Sequence, residues 1–421
     1  MRTLKLNSTV PVALMAVCLL TFNAGCKKPG NYKPDYNNSY INSTPTTGGG
    51  AAKPVLGVFS PGSALPNTVI KITGSNFDPV AANNMVTVGG VAATVNAASS
   101  TFLYFTVPQG AVTGPVVVKT NGATLTSVVD FKVLTGTSGM FMSLPDYSIE
   151  HISFNGNGDL IGESTSAVYR ITPAGNVSLY NQPYTFGSLW GSANYYEQGV
   201  YVTDHLAGKI FRVSTEGLVT LMGGSTQGIT DGIGSKAQFN APLGLCLDAA
   251  GNIYTTDTHR VRKISSSALV TTIAGNASVG SINGTGTAAQ FGDLHGLTYN
   301  KADSSIYVTD LQFFNIRKIS AGGVVTTLAG SGTKGMVDGP GATAQFVNPY
   351  NIAADDSGNI VVADGNSSTG YAIRLINKYG VVSTLLSGPI LNAPDGMAFD
   401  PQGNLYVMNT GAKNIIKITF Q

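Results

Sequence analysis

The sequence predicts an all-β chain, a β-sandwich followed by a six-bladed β-propeller. Three observations carry that expectation. Charged residues make up only 11% of the 421, while glycine contributes 52, a balance that suits short strands joined by tight turns. Residues 54–134 alternate apolar and polar side chains, with turn signals roughly every eight to twelve positions. From about residue 139 onward one four-strand phrase recurs to the end of the chain.

At the N-terminus, Arg2 and Lys5 precede an apolar run, Val10 to Phe22, too short for a permanent membrane span. Residues 1–25 therefore read as an export signal. The phrase "NAGC" (23–26) sets small Ala24 and Gly25 before Cys26 and resembles a bacterial lipobox, with Asn23 where leucine is usual. The resemblance implies lipidation of Cys26 and attachment to the envelope, at the outer membrane, through lipid alone. Ordinary cleavage and secretion is the alternative. Removal of Arg2 and Lys5 leaves 22 basic against 22 acidic side chains, and a neutral chain lacks the basic face that nucleic acid demands. Cys18 leaves with the signal, so Cys246 has no partner for an internal disulfide and reads as a buried thiol. Residues 26–52 are polar, punctuated by Pro and Gly, and read as a tether.

Within 53–135, "VIKITGSNF" (69–77), "MVTVGG" (85–90), "LYFTVP" (103–108) and "GPVVVKT" (114–120) each read as a strand. The turn Gly74, Ser75, Asn76, Phe77 and the strand end Val107-Pro108 resemble an IPT/TIG domain. That resemblance implies an immunoglobulin-like sandwich serving as spacer or interaction module. The segment has no His, no Cys and no acidic pair, so no catalytic constellation.

The repeat is clearest in "PLGLCLDAAGNIYTTDTHRVRKISSSALVTTIAG" (242–275): an inner strand, a Gly-Asn turn, then "IYTTD", "VRKI" and "VTTIAG". Its strand-end residues are Ser164, Asp204, Asp257, Asp310, Asp364 and Asn409, which makes six blades over 139–421. The last repeat stops at Gln421 after three strands, and "GMFMSL" (139–144) precedes the first. That surplus strand is expected to join the last blade and close the ring, removing open edges. The phrasing "GN-I/L-Y-V-x-D … I-R-K-I … G-V-V-T-T-L-A-G" resembles NHL repeats.

A repeat supplies its own control. Residues that recur at one place serve the blade; a place that varies among fixed neighbours is free to serve a ligand. The strand-end aspartates recur and are expected to accept turn N–H groups; one per blade, they are too spread to form a metal site. Arg170, Arg212, Arg262, Arg317 and Arg374 recur in the third strand and are expected to pair between blades. The connectors "GITDGIGSKAQF" (228–239), "SINGTGTAAQF" (281–291) and "GMVDGPGATAQF" (335–346) are expected to dock one blade on the next, since no phosphate-loop Lys follows their glycines.

Each inner-strand Gly, or its equivalent, lies 13 residues before the strand end (Gly191 to Asp204), or 14 in the fourth blade (Gly296 to Asp310). The preceding residue is then Glu150, Trp190, Leu243, His295, Tyr350 or Asp395, all at the channel mouth; a slip of one in the first blade would substitute His151 for Glu150. Loops on the same face add His205, Phe313, Phe314 and Tyr371. Aromatic faces beside carboxylates suit a carbohydrate or similar small ligand, with no cofactor, no metal and no catalytic residue required. The alternative is that Trp190 and Tyr350 plug the channel.

Lipoproteins joining IPT/TIG and NHL units resemble accessory surface proteins of Bacteroidetes glycan uptake systems, which implies glycan binding. Two other classes stay open. Some propellers resembling this one are lyases or lactone hydrolases, and His295 with Glu150 or Asp395 has the chemistry of a base and an acid. Against this, His295 is expected opposite Glu150 and without a second histidine nearby. The third class is a protein–protein platform in the envelope, anchored by Phe313 and Phe314.

Overall fold

The computed structural model describes residues 53–420, apart from 61–62, 65, 67, 134–135, 195–198 and 379. The export signal, Cys26 and the tether lie outside the described residues. The first domain is an immunoglobulin-like sandwich. Its strands run in the spatial order Val55–Ser60, Val69–Ser75, Phe102–Thr106, Val91–Ser99, Met85–Val88, Val116–Thr120 and Ala123–Thr126. The long strand Val91–Ser99 shifts register between Val95 and Ala97, and this bulge lets it pair with neighbours on both sides. Alternating residues such as Ile70, Ile72, Leu103, Phe105, Val116 and Val118 turn inward to one core, where Phe59 meets Phe131 edge to face at 5.8 Å.

The second domain is a six-bladed propeller with an apolar core between successive blades. Blade 3 shows the plan: Pro242–Leu247 innermost, then Ile253–Asp257, Arg260–Ile264 and Leu269–Gly275, each antiparallel to the last. Blade 6 takes Pro394–Phe399, Leu405–Asn409 and Asn414–Phe420 from the C-terminus. Its outer strand is Gly136–Ser143, paired antiparallel with Asn414–Phe420. That strand starts three residues before the expected 139 and ends one before 144.

The strand-end carboxylates hold the turn that enters each blade. Asp204 accepts the N–H groups of Gly187 (2.7 Å) and Ser188 (3.0 Å), Asp257 that of Asn240 (2.6 Å), Asp310 that of Gly292 (2.9 Å), and Asp364 those of Val347 and Asn348 (both 2.8 Å). In blade 6 Asn409 does the same for Asn392 at 2.6 Å.

The arginines divide differently from the expectation. Arg262, Arg317 and Arg374 share one register, opposite Thr255, Val308 and Val362, and all three are fully buried. At that place blade 1 has Tyr169 and blade 2 has Phe211; Arg170 and Arg212 stand one residue on, turned to the other side of the strand. Each buried guanidinium lies over a phenylalanine, Phe239, Phe291 or Phe346, with 5.0–5.1 Å to the ring centre. Each also reaches into the long connector. Arg262 bonds Asp231 (2.8 Å) and the Gln238 carbonyl (3.0 Å), Arg317 bonds Asn283 (2.9 Å), and Arg374 bonds Asp338 (2.7 Å). The connector so held adds a fifth strand to the outside of blades 3, 4 and 5. The recurring Asp-Gly-x-Gly phrase therefore encodes an arginine receptor.

Ring closure gives a direct test. A protein beginning at Leu144 lacks the outer strand of blade 6 and bares the edge of Asn414–Phe420. It is expected to melt on the order of 10 °C below one beginning at Gly136 and to associate, as read by calorimetry and light scattering.

Candidate functional site at the channel mouth

The inner strands meet round the axis through a repeated hydroxyl clasp. Thr203 accepts the Gly191 N–H at 2.9 Å and donates to the Leu243 carbonyl of the next blade at 2.7 Å. Thr256 likewise joins Gly244 (3.0 Å) to the His295 carbonyl (2.8 Å), and Thr309 joins Gly296 (3.0 Å) to the Tyr350 carbonyl (2.8 Å). The glycines are required by closeness: a Cβ on Gly191 would stand 2.4 Å from the Leu243 carbonyl oxygen. Glu150 holds the same place at the last seam, where its carbonyl accepts the Gly396 N–H at 3.0 Å. The clasp engages the main chain of these residues and leaves their side chains free.

Those side chains crowd round one indole. Trp190 has the rings of His151 at 5.9 Å, His205 at 6.0 Å and His295 at 6.0 Å, and His295 meets Tyr350 edge to face at 5.1 Å. His151 Nε2 lies 3.6 Å from an Asp395 oxygen, which also accepts from Asn351 at 3.4 Å. Together His151, Trp190, His295, Tyr350 and Asp395 rim a cavity of about 290 Å³ that continues down the inner strands. His295 is therefore not without a histidine companion, contrary to expectation: Trp190 spans the mouth and draws three imidazoles toward it. No trio of His, Cys, Asp or Glu among the described residues is placed to hold a metal ion.

The remaining expected residues fall as follows. Glu150 is half-buried beside His151 and Asp395 but does not line the cavity; burial raises its carboxyl above the usual range, with His151 opposing and Asp395 adding to the rise. His205 touches Trp190 from the loop after Val200–Asp204. Phe313 and Phe314 are turn residues away from the cavity: the Phe313 N–H bonds Asp310 at 3.2 Å, and Phe314, at φ 50°, lies beneath Lys334. Tyr371 packs on the core of blades 5 and 6. Asn351 was missed as a member of the mouth, and His151 was named only as the one-residue alternative to Glu150. Both stand where other blades have Gly191, Gly244, Gly296 and Gly396, and that departure is the signal that marks them.

Burial lowers His205 and His295 below the ordinary histidine value of 6.5. For His205, Asp204 opposes the shift; for His295, Asp395 opposes it and His151 and His205 reinforce it. Both rings are neutral at neutral pH. The Nδ1 atoms of His151 and His205 are buried and have no hydrogen-bond partner among the described residues.

Residues 54–133 match the IPT/TIG domain. No curated protein matches the chain. Among solved structures, one protein of unknown function from Bacteroides thetaiotaomicron is 18% identical, with TM-score 0.54, covering 89% of this chain and 100% of its own. An auxiliary nutrient binding protein from the same organism is 14% identical (TM-score 0.53; 87% of this chain, 97% of its own). Another, from Bacteroides ovatus, is 15% identical (TM-score 0.53; 88% and 99%). At these identities the likeness is one of fold.

The histidine ring makes the tryptophan a pH probe. Imidazolium quenches indole emission, and Trp190 is the single tryptophan of the chain. Emission is expected to fall on acidification with a midpoint below 6.5. Stability follows the same sign: a histidine depressed by folding contributes stability above 6.5 that is lost as pH falls through its folded value. Substituting His205 and His295 by Gln should remove most of the emission change.

Proposed function

We propose that the protein is an envelope-anchored binding protein whose propeller takes a carbohydrate or similar nutrient at the channel mouth. The observation that carries this reading is the rim itself: one indole, one phenol and two imidazoles beside Asp395, around a cavity whose volume suits one or two sugar units. Flat rings stack on the apolar faces of a sugar, and neutral imidazole nitrogens and a carboxylate exchange hydrogen bonds with its hydroxyls. The fold likeness to proteins named auxiliary nutrient binding proteins supports it. The blades are read as NHL repeats on the phrasing of "GNIYTTD" and "VRKI", and Cys26 as the lipid-bearing residue on "NAGC". Membership of a glycan uptake system follows from the same reading.

Two experiments test it. On a glycan array followed by calorimetry, at least one oligosaccharide is expected to bind. Trp190→Ala and Tyr350→Ala should each weaken that binding roughly tenfold or more, about 1.4 kcal/mol. Binding to no glycan, or variants indistinguishable from the parent, removes the carbohydrate reading. For the anchor, Cys26→Ser should move the protein from the membrane fraction to the soluble fraction of expressing cells and abolish palmitate labelling. Retention of label by that variant excludes Cys26.

A further inference from the structure

Glu163 ends the second strand of blade 1, Leu160–Glu163, and has no exposed surface. Its main chain pairs with His151 on one side and Val168 on the other. In blades 2, 3 and 4 the residue at this place is Thr203, Thr256 or Thr309, the donor of the inter-blade clasp. Blade 1 puts a carboxyl there instead. Neither of its oxygens has a hydrogen-bond partner among the described residues. By the repeat, the carbonyl that this place serves is that of Trp190. The Ser192 hydroxyl lies beside Glu163 and donates to Ser153 of blade 1 at 3.2 Å. A carboxylate has no proton to donate and pays a large desolvation cost in a dry seam; a carboxylic acid can donate as threonine does.

We propose that Glu163 is a positioning residue that binds a proton and, as a neutral acid, donates across the seam between blades 1 and 2 beneath Trp190, so that its ionisation loosens the indole at the channel mouth. The surroundings favour the proton. Glu150 faces Glu163 from the inner-strand side, with His151 beside it and Asp395 beyond. On the third strand Arg170 is turned to Asp159 by a 2.7 Å ion pair. Blade 2 brings Ser192 and Trp190. Burial pushes the Glu163 carboxyl up to about 8, with Ser192 opposing and Glu150 adding to the rise. An acid raised by folding above its ordinary 4.5 holds its proton more tightly when folded. Its favourable contribution is full below 4.5 and is lost as pH climbs to about 8.

The test uses the full chain with Glu163→Gln and Glu163→Thr, following Trp190 emission and Tm from about pH 5 to about pH 9.5. Gln keeps the shape and a donor; Thr is the residue that three other blades use. The parent is expected to show an emission step with a midpoint near 8. Its Tm should fall relative to both variants over the same range, and neither variant should show the step. A parent without the step overturns the proposal, as does a step that persists in Glu163→Gln. If both variants fail to fold at every pH, the neutral-donor role is overturned as well, because each supplies a donor. No ligand enters this experiment, so its failure leaves the binding reading of the mouth untouched.

Discussion

At three of the seams a threonine hydroxyl that accepts a hydrogen bond from its own blade and donates one to the next holds the inner strands together. The bond is made to main-chain atoms, so it fixes where the rim residues stand without dictating what they are. A leucine, a histidine and a tyrosine can all occupy that place because the clasp reads only their carbonyl oxygens. Chemical variety at the mouth and regularity of the ring thus have one cause. The glycines below the rim follow from it, since two inner strands this close leave no room for a Cβ.

The ring is nevertheless uneven. Blades 3, 4 and 5 each bury an arginine that ties a long connector to their outer edge, with Asp257 and Asp364 supplying buried counter-charges at 2.7 and 2.9 Å. A guanidinium taken out of water needs that full set of acceptors; removing one partner from such a pair typically costs about 3–5 kcal/mol. Blades 1 and 2 replace the arginine with Tyr169 and Phe211, and blade 6 has Ile416. Four of the side chains at the mouth come from these untied blades: His151, Trp190, His205 and Asp395. The tied blades add His295, Tyr350 and Asn351, so the mouth draws on both halves of the ring, with part of it held on a braced frame.

Much of this was legible in the sequence because a repeat exposes its own constants. Strand-end aspartates, Gly-Asn turns and the missing last strand are local features, and the blades and their register followed from them; the sandwich strands followed from apolar and polar alternation. The arginine grouping failed for a local reason too. In a strand, a shift of one residue turns a side chain to the opposite face, so Arg212 beside Phe211 mimics Arg262 in the text while pointing away from its role. His151 was readable as a rim residue only through a one-residue slip of the first blade, and Asn351 only as a departure from glycine, because the Asp395 it faces comes from blade 6. Glu163 was hidden more deeply. "GES" reads as an ordinary polar strand end, and the burial of Glu163 in the seam beside Ser192 of the next blade is not written in that phrase.

The electrostatics of the mouth narrow what it can hold. Burial keeps His205 and His295 neutral at neutral pH, so these imidazoles offer hydrogen bonds and ring faces without positive charge. Asp395 is already engaged by His151 and Asn351, and Glu150 lies back from the cavity with its carboxyl raised. A phosphate or other anion would meet the Asp395 carboxylate, and among the described residues no lysine or arginine lines the cavity to compensate it. A compact cation would have to displace the Asp395 contacts. An uncharged ligand rich in hydroxyls meets neither obstacle: it can stack on Trp190 or Tyr350 and exchange hydrogen bonds with the polar side chains that line the cavity, His151, His295 and Asp395 among them. On the binding reading proposed above, acidification that charges His205 and His295 would gather positive charge around the indole, so a neutral guest would be held best while these rings are neutral.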